Sequence, residues 1–251
     1  MDLRDFGRLA AVGHRAREEA RLNVVDRRID VDLRLAERVV TKQARSEYTR
    51  LHLIRSAAEL FDRDGFAGAT LDDVSRAAGV TKGAFYFHFA SKQELGGAIQ
   101  AEARGMLRSF VDRQRATETR ALQSLIDMTH VLARWLASEP VIRASLRTAR
   151  ERGDRPFVDF YAELLSTVDT TLHRAKRAGE LDEGVQVDVV GTLVVTICVG
   201  IEVLWWVGMR RGNMRTGLGD MWNLMLPGIV APNRIAEFHP GGSDAVNAGE
   251  S

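Results

Sequence analysis

Apolar side chains recur every three or four positions through most of this chain, and the breaks in that rhythm fall at glycine, proline and capping residues. Leu51, Ile54, Ala58 and Phe61 form one stripe and predict a helix over residues 47–64, stopped by Gly65, with Phe66 tucked back beneath it. Leu71, Val74 and Ala78 form the next. Thr70, with Asp73 three positions on, is a capping-box pattern that starts this helix at Leu71, and Gly79 ends it after about two turns because only glycine takes a left-handed turn cheaply. Thr81 caps a second short helix whose Phe85 and Phe89, four apart, share the inner face while Lys82, Tyr86 and His88 look elsewhere. Ser91 with Glu94 repeats the capping box and opens a long helix over residues 92–115, a mechanical link between domains whose Arg104 and Arg108 belong to a solvated face.

The second half follows the same period. Leu122, Leu125, Met128, Leu132, Trp135 and Leu136 give one apolar face over residues 121–137; Pro140 interrupts, and residues 141–150 read as a shorter helix. The polar run ERGDR is a predicted loop. Pro156 suits the first turn of a helix over residues 157–178, closed by Gly179, with Arg174, Lys176 and Arg177 at the end where the helix dipole favours cations. Asp188 is the predicted cap of residues 189–209, the most apolar stretch and long enough, at about 20 residues, to span a bilayer. Glu202 and three glycines interrupt it and no second span accompanies it, which favours a helix buried in a core and a subunit interface, without a membrane. Trp205, Trp206 and Val207, with Trp222 and Leu226 of the next helix, are the interface candidates, because large aromatics dominate such contacts. Pro227 and Gly228 are expected to end the fold, and the Gly-, Pro-, Asn- and Ser-rich tail beyond about Pro232 to be disordered.

Two short helices around one glycine turn are a helix-turn-helix. In that motif the second helix enters the DNA major groove by its N-terminus, which brings Thr81, Lys82, Gly83 and Ala84 nearest to base edges; the small residues permit close approach. Lys82 suits a phosphate or guanine, and Tyr86, His88 and Lys92 suit phosphate oxygens. Thr70, at the start of the first short helix, completes this set, and Arg45, with Arg50, can reach the backbone or minor groove as a basic arm. The alternative, an aromatic core with solvated neighbours, fits Phe85 and Phe89 but leaves the polar set unexplained.

Composition narrows the field. A formal net charge of +1 gives no global polyanion-binding signature, so nucleic-acid contact must be local. The single cysteine, Cys198, excludes an intrachain disulfide and a cysteine metal cluster and suits a reducing cytosol. The N-terminus is charged from Asp2 onward without an apolar signal core, so export is not expected. Residues 1–42 mix arginine with acids and read as a solvated arm, with a possible helix from Asp32 to Val40. No glycine loop followed by lysine, no zinc-spaced histidine pair and no nucleophile with its base supports an enzyme, and no cofactor or metal site is expected. For a small amphiphile, the C-terminal helices offer Phe110, Met128, Leu132, Trp135, Phe160 and Ile197 as apolar lining, with Thr129, Thr192, Thr196 and Glu202 as orienting groups. For each of these residues, ordinary core is the competing reading.

The stretch AGVTKGAFYFHFASKQEL, preceded by SEYTRLHLIRSAAELFDRDGFAGATLDDV, closely resembles the helix-turn-helix signature of the tetracycline-repressor (TetR) family. That resemblance implies an all-α fold: a three-helix DNA-binding domain, here residues 45–92, a ligand-binding and dimerisation domain, here 93–230, and a homodimer acting on a pseudo-palindromic operator in the cytoplasm. Relatives usually begin near the position of Lys42, so residues 1–44 form an extension outside the pattern, expected to be mobile and dispensable or an artefact of start-site choice, and 231–251 form the tail. LQSLIDMTHVLARWLASEPVIRASLRTAR, RPFVDFYAELL, AKRAGELDEGV, GIEVL and MWNLMLPGI further resemble the γ-butyrolactone receptor subgroup, repressors of antibiotic-production genes that release DNA on binding a lactone or furan signal. Two positions depart from it: Phe160 stands where the subgroup usually has tryptophan, and Glu202 where it often has glutamine. A regulator of efflux or lipid genes answering another apolar ligand is the alternative within the family, and an enzyme is the remote one.

Overall fold

A computed structural model describes residues 43–152, 159–208 and 214–247, which fall in two compact units, up to residue 52 and from residue 53 onward. In the first, residues 43–52 are helical; the Thr49 hydroxyl donates to the Arg45 carbonyl (2.9 Å), and the Tyr48 and His52 rings stack at 6.3 Å. The helix expected over Asp32 to Val40, the Pro156 helix start and Met209 lie outside the described residues.

The second unit is all-α, with no strand among the described residues. Its helices are α1 (53–68), α2 (Leu71–Ala77), α3 (Lys82–His88), α4 (Lys92–Ala116), α5 (Ala121–Ser138), α6 (Pro140–Arg152), α7 (Asp159–Arg177), α8 (Val187–Trp206), α9 (Met214–Ile229) and a short α10 (Asp244–Asn247), with a 3-10 turn at Pro232–Glu237. Gly65 takes the left-handed φ of +79° expected of a stop, yet residues 66–68 add a turn, because Glu151 of α6 accepts the Phe66 N–H at 2.8 Å. Glu151 and Arg152, read from sequence as the start of a loop, therefore belong to α6. Asp188 is not the cap of α8; Gln186 stands at that position without a side-chain bond, and Asp188 lies in the first turn.

Helix α5 is the axis of the second unit. It packs against α4, α6, α7, α8, α9 and α10, and every residue from Ala121 to Leu132 is buried. A helix buried all round must find partners for its polar side chains inside the protein. Here the C-terminal segment supplies them. Asp127 accepts from the Ser243 N–H and hydroxyl, both at 2.7 Å, and from Gln123 and Gln114; Gln123 accepts from the His239 N–H at 2.7 Å; His130 Nε2 meets the Pro240 carbonyl at 2.8 Å. Phe238 and Val246 are buried beside them. This corrects the expectation of a disordered tail: composition argued for disorder, but the polar face of α5 holds residues 238–246 in place. Pro227 does not end the fold either; it sits in the last turn of α9, where the Ile229 carbonyl is taken by the Asp182 N–H at 3.0 Å.

The N-terminus of α5 is closed from a distance. Arg120, its cap residue, makes no side-chain cap bond, and the buried Glu180 accepts the Ala121 and Leu122 N–H groups at 3.0 and 2.7 Å. Glu180→Ala strands two buried donors at the positive end of a helix and is expected to cost about 2–3 kcal/mol, read as a lower denaturant midpoint with unchanged slope.

Candidate nucleic-acid interface

The local chemistry of residues 70–92 fixes which side chains of α3 point outward. Thr70 caps α2, accepting the Asp73 N–H at 3.1 Å and donating to its carboxylate at 2.5 Å. Gly79, at φ +62°, turns the chain so that the Val80 N–H reaches the Ser75 carbonyl at 3.0 Å. Thr81 then accepts the Ala84 N–H at 3.2 Å and starts α3. Phe85 and Phe89, each 1 % exposed, anchor α3 inward, their rings 6.1 Å apart. With those two faces fixed, Thr81, Lys82, Gly83, Tyr86 and Phe87 are presented outward, and Ala84 and His88 lie at the margin.

Lys82 is paired with Asp72 at 2.7 Å, and that bond raises its pKa, so the side chain is fully cationic and remains exposed to a competing phosphate. Tyr86 is 57 % exposed, and its ring edge meets Phe85. Lys92 is half-buried: its ammonium lies 4.8 Å from the centroid of the Phe66 ring and donates to the Ala67 carbonyl at 3.2 Å, and burial lowers its pKa. Thr70 is committed to its capping box, and Arg45 is exposed in the separate N-terminal unit. Phe87, 78 % exposed, is a residue to which the sequence reading gave no role. Its spacing held the clue, since two residues from both Phe85 and Phe89 places it on the opposite side of a helix.

Gly83 is exposed, and a Cβ added there would approach only the Thr81 hydroxyl, at 3.9 Å. Folding therefore has no use for this glycine. Gly83→Ala is expected to leave stability equal or raise it by up to about 1 kcal/mol, while weakening operator binding by about 1–3 kcal/mol, the scale of a lost base contact; paired thermal melts and gel shifts measure both.

The residues expected to line an effector cavity divide. Phe110, Met128, Leu132, Phe160 and Ile197 are buried, and Trp135 is half-buried, its ring perpendicular to that of Phe110 with the centroids 6.4 Å apart. Thr129 is not available to a ligand, since it accepts from Trp222 Nε1 at 2.9 Å and donates to the Ile126 carbonyl. Thr192 and Thr196 are exposed and bond back to the carbonyls one turn earlier in α8. Glu202, 4 % exposed, accepts from the Tyr161 hydroxyl at 2.5 Å and contacts Arg150. Burial raises the Tyr161 pKa, keeping it a donor. Burial likewise pushes the Cys198 thiol up to about 12, which makes it inert.

The interface candidates also divide. Trp206 is exposed and Trp205 half-buried, but Trp222 and Leu226 are fully buried inside this chain and cannot meet a second copy. The exposed apolar residues are instead Val189, Leu193, Val199, Val203 and Leu204 of α8, and Met221 and Leu224 of α9.

A helix-turn-helix with a small, cationic, aromatic outer edge on an all-α body defines a DNA-binding regulator. The chain belongs to the tetR family of bacterial regulatory proteins: the family's N-terminal pattern matches residues 53–99, and the tetracyclin repressor-like C-terminal domain matches 119–231. It is 31 % identical over 207 residues to the A-factor receptor protein of Streptomyces griseus, covering 81 % of this chain and 71 % of that protein. Among solved structures, a γ-butyrolactone receptor (ArpA-like protein) superposes with a TM-score of 0.68 at 30 % identity, covering 81 % of this chain and 99 % of that one. CprB from Streptomyces coelicolor, solved in complex with its biological operator sequence, superposes with a TM-score of 0.63 at 29 % identity, covering 81 % and 99 %.

Proposed function

We propose that this chain acts in the cytoplasm as a homodimeric repressor that holds a pseudo-palindromic operator and releases it on binding a small signalling molecule of the γ-butyrolactone or furan type, thereby controlling antibiotic-production genes. The observation that carries this reading is the outward edge of α3, joined to similarity along most of the chain to receptors of that kind. Residues 45–92 serve as the reading head, and two α3 helices enter successive major grooves about 34 to 36 Å apart. Thr81, Lys82, Gly83 and Ala84 approach base edges, Tyr86, His88 and Lys92 the phosphates, and Phe87 a thymine methyl.

Residues 93–230 hold the effector and pair the subunits. Helix α8 is long and apolar enough to cross a membrane, but it buries one side in the core and keeps Glu202 there, and its exposed apolar residues, like those of α9, suit a second copy better than lipid. Near-complete release requires the effector to prefer the non-binding conformer by about 5.5 kcal/mol. The test is a gel shift with the chain's own upstream region, with and without extracted lactone and furan signals. Retention that falls steeply with salt and is abolished by one extract is expected; retention indifferent to every extract points to the second reading within the family, a different apolar ligand, which the departures at Phe160 and Glu202 favour.

A further inference from the structure

Helix α6 carries three arginines at one-turn spacing, Arg143, Arg147 and Arg150, and all three line a single cleft of about 210 Å³ with Asp62 of α1 and Glu202 and Trp206 of α8. Each guanidinium is already engaged. Arg143 binds Asp62 at 2.6 Å and caps the end of α5 through the Leu136 and Ala137 carbonyls. Arg147 donates to the Asp62 and Arg63 carbonyls and pairs with Glu151, whose other oxygen holds the Phe66 N–H. Arg150 lies between Glu202 and the Trp206 ring, 5.2 Å from its centroid. The cleft is thus the seam through which α6 grips the end of α1, the first helix of the reading head, and α8.

We propose that this cleft is an effector site and that its ligand is a carboxylate-bearing amphiphile, which takes the α6 arginines from Asp62 and Glu202 and lays its apolar part on Trp206. The proposal rests on the effector-responsive reading above and narrows it, since at this cleft an acid is accepted and a neutral lactone is not. The donors decide the ligand's class. Three guanidiniums line the cleft, each already matched by a carboxylate, Asp62, Glu151 or Glu202, so the donors on offer are planar cationic forks that a cationic ligand cannot use. A neutral lactone or ester offers acceptors, but it cannot displace carboxylates whose hydrogen bonds are charge-assisted on both sides. A free carboxylate can, and the planar guanidinium fork fits it with two parallel bonds. The volume is below the roughly 300 Å³ of a typical ligand pocket, so it suits a compact acid or the head of a longer one whose chain leaves over the exposed Trp206. Once the ligand holds Arg143 and Arg147, the Asp62 carboxylate and the α1 carbonyls lose their partners, and the grip on the reading head loosens.

The test uses the full-length protein and two acids, sodium 3-phenylpropionate and sodium decanoate, each beside its methyl ester, titrated by calorimetry. At least one acid is expected to bind saturably, at least about tenfold tighter than its ester, and less tightly as salt rises. Arg150→Gln and, independently, Arg143→Gln are expected to weaken the acid at least about tenfold, while Arg108→Gln on the α4 surface leaves it unchanged; thermal melts confirm that each variant folds. Absence of saturable binding by both acids at millimolar concentration, esters as tight as acids, or arginine variants that bind like the parent would each overturn the proposal. Operator gel shifts on the same samples separate it from the regulator reading: a protein that retains operator but ignores both acids loses only this inference, and one that binds acid but retains no operator keeps the site and loses the regulator.

Discussion

Replacing Trp222 by alanine is expected to remove about 3–5 kcal/mol of stability. The indole is fully buried, and its N–H donates to Thr129, itself buried and bonded onward to the Ile126 carbonyl. The substitution opens a cavity between α9 and α5 and strands a hydroxyl in an apolar surround, two penalties that add. Trp222→Phe keeps most of the volume and loses only the bond, so it is expected to cost about 1–3 kcal/mol. Denaturant melts supply both values. Light scattering under native conditions should find the subunit association of Trp222→Phe unchanged; a variant that melts like the parent but dissociates would return Trp222 to the interface.

A second large effect is expected from Leu193→Glu combined with Leu224→Glu. Both side chains are exposed, Leu193 on α8 and Leu224 on α9, the latter at 83 %. Neither supports the fold of its own chain, so the double variant should keep its helical content and melt near the parent temperature. Four buried carboxylates at a two-fold interface would keep the subunits apart. A single reading head then binds without a tethered second one, and operator affinity is expected to fall by about a hundred- to ten-thousand-fold. Sedimentation at the concentration of the DNA titration checks both halves, and a double variant that stays dimeric and binds normally would place the pairing surface elsewhere.

The reading head was legible in the sequence because its signals are local. Thr70, Gly79, Thr81 and Ser91 act on the backbone within a few residues, and the structure has their caps and turn where the spacing put them. The rest depends on long-range pairing that no window of residues contains. Residues 238–246 look disordered by composition, yet they satisfy Asp127, Gln123 and His130, more than a hundred positions away. Helix α8 is apolar on every side, so its periodicity could not say which face meets the core; Thr192 and Thr196 turned out exposed, and Trp222 of α9 turned out internal. The arginine row of α6 carries no signal in a segment read only as a shorter helix; its partners Asp62, Glu202 and Trp206 come from distant helices.

The central claim is that the exposed edge of α3 grips DNA, and a footprint on the chain's own upstream region tests it most directly. The parent protein should protect two half-sites about one helical turn apart, and Tyr86→Ala should need a markedly higher concentration for the same protection while unfolding at the parent temperature. Equal protection by Tyr86→Ala and Gly83→Ala, or no protected sequence at any concentration that leaves random DNA free, would contradict the account.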